Sequence, residues 1–98
     1  MMAKAIDVAD YILERNGTMS AMKLQKLVYY AQAWHLVWED KELFSEEIQA
    51  WANGPVVPWL YSLHQGIFSL NAGFFNGDIR NITDCVNAPC FRSLLVWA

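Results

Sequence analysis

Charged residues are scarce in this 98-residue chain, and positive charge is the scarcer sign. Seven Lys and Arg stand against ten Asp and Glu, which gives a formal net charge of −3 at pH 7. Proteins that bind nucleic acids usually carry a basic face, because neutralised phosphates supply much of their affinity. Among the basic residues, only Lys23 and Lys26 fall close together. The composition therefore disfavours extended contacts with DNA or RNA.

Cysteine and histidine are equally sparse, with two of each. Structural zinc sites need about four ligands in paired clusters. Cys85 and Cys90 lie far from His35 and His64 in the sequence. We therefore expect two free thiols, because a reducing compartment disfavours disulfides. We also expect no metal site and no other cofactor.

Targeting and membrane segments are missing as well. Asp7 interrupts the N-terminus before an apolar run develops, so the segment does not resemble a secretory signal. No run of about 18 apolar residues is present. These absences predict a cytoplasmic protein that does not associate with a membrane.

Sequence motifs for catalysis are also absent, including G-x-G-x-x-G, the Walker loop, G-x-S-x-G and H-E-x-x-H. His35 falls on the apolar face of a predicted helix, without a second polar group beside it that could take part in proton transfer. We expect His35 to be a structural residue with a hydrogen-bonded ring. The chain is predicted not to be an enzyme.

Apolar side chains, in contrast, are abundant. Hydrophobic residues make up 55% of the chain and aromatic residues 14%, with five tryptophans. A chain of this size buries only about 60–65% of the surface of its unfolded form. Two interpretations stay open: an exposed apolar patch that binds a partner, or a core packed with aromatic rings.

The first predicted helix runs from about Ala3 to Asn16 and ends at Asn16-Gly17. Its apolar residues share one side, as expected for a surface helix. The other side carries a polar stripe that we expect to be solvated. This stripe consists of Asp7, Asp10, Tyr11, Glu14 and Arg15.

The second predicted helix begins after an N-cap at Ser20 and covers about 21–39. It is apolar nearly all round, except for a polar strip of Gln25, Gln32 and Glu39. Such a helix is central and buried, or lends one face to a partner. The fold class is therefore mainly α, a small single-domain helical bundle (1–98) around this central apolar helix.

Past Asp40 the pattern is irregular, with apolar anchors that we expect to point inward. These anchors are Leu43, Phe44, Ile48, Ala50 and Trp51. A short β-ribbon near 43–52 fits this stretch. The glycine–proline segment 53–58 then breaks the chain, and a short helix follows from Pro58 to His64. We expect loop beyond 71, with the rings of Phe68, Phe74 and Phe75 buried.

Two strings resemble a known family. Met22–Trp34 reads M-K-L-Q-K-L-V-Y-Y-A-Q-A-W, and Ala50–Pro58 contains A-W-x-x-G-P-V-V-P. Together with Ile6–Leu13, Ile48 and Tyr61, they resemble the Panacea domain, or SocA-like phage-associated antitoxin family, over about residues 3–66.

The resemblance implies a mainly α-helical antitoxin module of a prophage or toxin–antitoxin system. Its partner would be a cognate protein toxin, which it neutralises by direct binding. A bacterial protease would be a second partner if the module acts as a proteolytic adaptor. The resemblance supplies no catalytic residues. Relatives continue with further helices, whereas this chain departs from them after about residue 77. We therefore expect a shortened or divergent form whose second helix is more exposed, which would allow a homodimer.

Six residues are candidates for binding the toxin. Aromatic residues dominate interface hot spots, and two lysines could contact an acidic partner surface. The candidates are Lys23, Lys26, Tyr29, Tyr30, Trp59 and Tyr61. Two other functions stay open at this point: a DNA-associated regulator of the operon that uses Arg15 with the two lysines, and an inactive truncated remnant.

Overall fold

The computed structural model describes residues 4–52 and 54–77. Within them, three helices alternate with short strands. The elements are α1 (Ala5–Asn16), β1 (Met19–Ser20), α2 (Ala21–Glu39), β2 (Gln49–Trp51), β3 (Gly54–Val56), α3 (Pro58–His64) and β4 (Ser69–Leu70). The two cysteines lie outside the described residues.

Helix α2 begins and ends where its sequence predicts. The amide of Lys23 donates to Ser20 Oγ over 3.2 Å, which is the expected N-cap bond. At the other end Asp40 adopts a left-handed conformation with φ 56°. Its amide closes the last turn on the carbonyl of Leu36 at 3.0 Å. The predicted central helix is confirmed.

Helix α1 packs on α2, and both supply the core. The buried apolar side chains come from these helices and from the segments that cross them. They include Val8, Ile12, Leu13, Leu24, Leu27, Val28, Phe44, Val57, Leu60 and Leu70. The part of the chain that the structure describes is mainly α-helical, as predicted, with two short antiparallel strand pairs in it, β1 with β4 and β2 with β3. That the helices form a bundle stays a prediction.

Two glutamines of α2 overturn the predicted polar strip, because both are buried. Gln32 Oε1 accepts the amide of Leu43 at 2.7 Å, and its Nε2 donates to the carbonyl of Phe44 at 2.8 Å. Gln25 Oε1 accepts the amide of Val57 at 2.9 Å. A glutamine amide both donates and accepts, so it can satisfy the backbone of an irregular segment that crosses the helix. Glu39 alone is exposed.

The predicted solvated stripe of α1 is also wrong for three of its members. Asp7, Asp10 and Tyr11 are buried, whereas Glu14 and Arg15 are exposed. Asp10 accepts the amides of Phe75 and Gly77, because residues 73–77 fold back across α1. Asp7 instead accepts the amide of Lys4 at 2.9 Å, at the start of the helix.

The region after α2 follows the prediction in part. Leu43 and Phe44 are buried, and a ribbon forms later than the predicted 43–52: it pairs 49–51 with 54–56, with Gln49 opposite Val56 and Trp51 opposite Gly54. Every residue of β2 is exposed, because β3 is the strand that packs on α2. Ala50 and Trp51 therefore do not point inward as predicted.

The predicted burial of the phenylalanines after α3 holds for only part of the set. Phe75 is buried and Phe74 is partly buried, whereas Phe68 is 82% exposed. The carbonyl of Phe68 accepts the amide of Ala21 at 2.7 Å. This bond fixes the backbone next to the β1–β4 pair and leaves the ring in solvent. Residues 72–75 form turns, as expected, and the loop predicted further along the chain lies outside the described residues from 78 on.

Replacing the buried amide of Gln25 tests how far the fold depends on it. Gln25→Met keeps the side-chain volume but leaves the amide of Val57 and a nitrogen of His64 without a partner. We expect a loss of about 2 kcal/mol in the free energy of unfolding, measured by urea denaturation. The matched control is Gln65→Met at an exposed position. Equal stability of the two variants would contradict this role.

The carboxylate of Asp10 offers a second test. Asp10→Asn replaces one acceptor oxygen by a donor that faces a backbone amide, so the bonds to Phe75 or Gly77 are lost. Hydrogen bonds to a charged group contribute about 1.5–3 kcal/mol. We expect the amide that loses its acceptor, that of Phe75 or that of Gly77, to exchange with deuterium at least about tenfold faster. Glu14→Gln, on the exposed side of α1, should leave both rates unchanged.

Candidate partner-binding surface

The exposed large apolar side chains of the described residues fall into two stretches of the chain. One group lies on α2 and the other between residues 51 and 68. They are Met22, Tyr29, Leu36, Val37, Trp51, Trp59, Leu63, Ile67 and Phe68. The sequence from Ile48 to Gly77 contains no Asp, Glu, Lys or Arg. Exposed apolar side chains on an uncharged segment are typical of a protein interface.

A first groove, the hairpin groove, lies between α2 and the β2–β3 ribbon. Its walls are Tyr29 on the helix and the ribbon residues with Ile48 before them. The full lining is Tyr29, Ile48, Gln49, Ala50, Trp51, Gly54 and Pro55. The indole Nε1 of Trp51 donates to Gln49 Oε1 at 2.9 Å. This bond and the ring contact described next hold the indole in place.

A second groove, the α3 groove, lies between the start of α2 and the chain after α3. It is lined by Ala21, Met22, Tyr61, His64, Gly66, Ile67 and Phe68. The ring of Tyr61 joins the two grooves, because it meets Trp51 edge-on with centroids 5.0 Å apart. On its other side it meets His64 at 5.5 Å. We call Trp51, Tyr61 and His64 the aromatic row.

His64 anchors this row to the core. Its Nε2 lies 2.8 Å from Gln25 Nε2, whose amide orientation is set by the Val57 amide bonded to Oε1. Since the Gln25 nitrogen can only donate, His64 Nε2 must accept, and the ring is neutral. Burial lowers the pKa of His64 below its usual value of 6.5.

The other histidine, His35, also has a structural contact. Its ring Nδ1 lies 2.7 Å from the carbonyl oxygen of Lys41, so this nitrogen carries the proton and donates. The bond holds the chain just after α2 against the helix. The hydrogen-bonded ring predicted for His35 is confirmed.

The four candidate residues of α2 lie in different surroundings. Lys23 and Lys26 are exposed, and Lys26 Nζ lies 5.9 Å from the ring centroid of Tyr30. Tyr30 is partly buried and packs on the core, while the neighbouring ring of Tyr29 lines the hairpin groove. Of these four residues, Tyr29 lines a groove. Neither lysine is among the described residues that line the two grooves.

The two candidates of α3 are separated. Tyr61 lies between the two grooves, whereas Trp59 points into a different hollow with Glu46, Glu47, Pro58 and Ser62. Trp59 is 55% exposed. The six candidates therefore do not form one patch, and their role in binding stays a prediction.

Sequence reasoning missed Trp51, Ile67 and Phe68 as surface residues. Their apolar character does not indicate exposure, because an apolar side chain in an irregular segment is more often buried. The signal that could have found them is the absence of charge between Ile48 and Gly77. A surface segment of that length normally carries charged side chains, so their absence marks an unusual surface.

One comparison with known proteins gives a match. A family model described as "Antitoxin SocA-like, Panacea domain" matches residues 24–83, which is more than half of the chain. This chain belongs to the SocA-like antitoxin family. The Panacea domain match includes most of α2, both strands of the ribbon, and α3, so it contains most of the residues that line the two grooves. The resemblance stated from the sequence is confirmed.

The extent of the match differs from the expected one. It begins within α2, so the Ile6–Leu13 string of α1 lies outside it, and it runs to residue 83 where the resemblance was placed only to about 66. No curated protein and no solved structure matches this chain.

Two features are absent from the residues that the structure describes. No helix among residues 4–52 and 54–77 is both long and apolar enough to cross a bilayer. In the same part of the chain, no group of three or more His, Cys, Asp or Glu side chains could hold a metal ion.

The neutral ring of His64 predicts acid lability. Because its pKa is lowered in the folded state, the unfolded chain binds a proton more readily at acid pH. The stability that the neutral ring of His64 contributes is therefore fully present above pH 6.5, the ordinary pKa of histidine. It is lost progressively as the pH drops below that value. The slope should reach at most about 1.4 kcal/mol per pH unit.

Urea denaturation at a series of pH values between about 5 and 7.5 measures this effect. His64→Gln should be less stable at neutral pH but should lose much of the slope over this range. If the variant keeps the full slope of the parent chain, the titrating group is elsewhere.

Proposed function

We propose that this chain is the antitoxin of a toxin–antitoxin pair and neutralises its toxin by direct binding through the hairpin groove and the α3 groove. The observation that carries the proposal is the position of Trp51 and Tyr61. Both rings lie at the surface, in contact, inside the segment that matches the antitoxin family. Tryptophan and tyrosine are the residues most enriched in interface hot spots.

The aromatic row supports binding because it is already ordered. Trp51 is held by Gln49 and Tyr61, and Tyr61 is held by His64, whose ring is bonded to Gln25. A partner that docks here does not have to immobilise these side chains, which lowers the entropic cost of association. The lack of charge from Ile48 to Gly77 favours a toxin surface that is mainly apolar.

The same features favour a protein partner over nucleic acid. The two lysines lie on α2, whereas the guanidinium of Arg15 sits 5.5 Å from the ring centroid of Tyr11 on α1, with Nε bonded to the tyrosine oxygen. A phosphate backbone needs a row of cations. The grooves instead offer aromatic and aliphatic walls, so the proposed activity is binding in the cytoplasm, without catalysis.

Delivery of the toxin to a bacterial protease is a further step of this proposal. If this chain delivers the toxin to a protease, its presence should shorten the half-life of the toxin in cells that contain the protease. A pulse-chase of the toxin with and without this chain measures that half-life. If growth is restored while the half-life of the toxin is unchanged, the chain neutralises the toxin by binding alone and does not deliver it to a protease.

The proposal is tested by co-expression with the product of the neighbouring gene. The parent chain should restore growth and co-purify with that product. A double variant, Trp51→Ala with Tyr61→Ala, should weaken binding at least about 100-fold, because removing two hot-spot residues costs about 2 kcal/mol or more each. Circular dichroism should show that the variant still folds.

Trp59→Ala is the matched control. Trp59 is an exposed tryptophan of the same helix region but lies in the separate hollow beside Glu46 and Glu47. We expect growth rescue and affinity to be retained in this variant. If Trp59→Ala is as harmful as the double variant, or if the double variant still protects, the toxin binds elsewhere.

A further inference from the structure

A regular stripe runs along the outer side of α2, away from the buried core. Its members are spaced alternately by four and three residues, so those within α2 fall on one face of the helix, and the last member is the left-handed C-cap that directly follows it. We call this set the α2 stripe. It consists of Met22, Lys26, Tyr29, Ala33, Leu36 and Asp40.

The α2 stripe is open to solvent along most of its length. Lys26 and Asp40 are exposed, and Met22 and Leu36 are 39% and 43% exposed. Val37, at its border, is 76% exposed. A spacing of four and three residues is the pattern by which helices pack side by side, and here the apolar positions of that pattern face water.

The charges of the stripe are placed symmetrically about its centre. Lys26 lies seven residues before Ala33 and Asp40 lies seven residues after it. A second helix of the same sequence, crossing antiparallel at Ala33, therefore brings each Lys26 near the Asp40 of the other copy. A parallel copy would oppose like charges. The small side chain of Ala33 at the crossing allows the two helix axes to approach closely.

We propose that the α2 stripe binds a second copy of this chain, antiparallel and centred on Ala33. The occupant is fixed by charge complementarity, because the stripe is complementary to itself only in this orientation. The inference goes beyond the proposed antitoxin activity and uses a different face. Met22 also lines the α3 groove and Tyr29 also lines the hairpin groove, so the test relies on Lys26, Leu36 and Asp40, which line neither groove.

The area of contact sets the expected strength. A helix of 19 residues is about 28 Å long. One helix pair of that length covers less than the roughly 1,200 Å² of a standard interface. We therefore expect a dimer that dissociates on dilution, with a Kd on the order of 10–100 μM.

Sedimentation velocity over a concentration series, at low salt, is the test. Lys26→Glu and Asp40→Lys should each weaken dimerisation at least about tenfold, since each change creates two like-charge contacts. An equimolar mixture of the two variants should dimerise again. In the mixed pair, the carboxylate introduced at position 26 faces the ammonium introduced at position 40. The native Asp40 and Lys26 of the two chains also face each other, so both contacts are attractive.

Three controls make the result decisive. Lys23→Glu changes the same charge on the same helix outside the stripe and should leave the Kd unchanged. Asp40→Asn tolerates the left-handed backbone at this position, and should weaken the dimer without repulsion. Leu36→Glu should abolish the dimer. Circular dichroism checks the fold of each variant.

A chain that stays monomeric at about 200 μM, well above the expected Kd, overturns the proposal. So does a dimer that is indifferent to Lys26→Glu, or a mixture of the two charge variants that fails to associate. Growth rescue by the monomeric Leu36→Glu variant would separate the two proposals, because neutralisation would then proceed without the dimer. If the Trp51 and Tyr61 double variant still forms the dimer but no longer restores growth, the dimer forms independently of the toxin-binding surface.

Discussion

Buried polar side chains that bond to the backbone of irregular segments are the interaction on which this structure depends. Gln25 and Gln32 of α2 bond to the chain at Val57 and at Leu43–Phe44, and Asp10 of α1 bonds to the chain at Phe75. Strands of two or three residues leave most of their neighbours without ladder bonds. The helices therefore supply the donors and acceptors that a larger sheet would provide.

The surface that we assign to toxin binding is supported by the same bonds. Gln25 holds both Val57, at the end of the ribbon, and His64, at the end of α3. The ring of His64 supports Tyr61, and Tyr61 supports Trp51. A chain of contacts therefore leads from a buried amide to an exposed indole, which explains how so small a domain can present ordered aromatic side chains.

The elements that the sequence predicted best are those with local signals. Ser20 as N-cap, Gly17 after α1 and Pro58 at the start of α3 act on backbone groups within four residues, so their effect can be read from neighbours in the chain. The candidate site was predicted less well. Tyr29 and Tyr61 border the grooves, but Trp51 and Phe68 were expected inside, because nothing local shows that β2 faces solvent while β3 packs on α2.

The sequence alone determined the helices, the excess of apolar side chains and the family, since propensity, periodicity and motif strings are properties of adjacent residues. The tertiary structure decided which polar residues are inside. The backbone amide that bonds to Gln32 lies 11 residues away in the sequence. The corresponding separation is 32 residues for Gln25 and 65 residues for Asp10. A polar side chain on a helix face is buried only if a distant segment brings unpaired backbone groups to it, and helical periodicity carries no information about that segment.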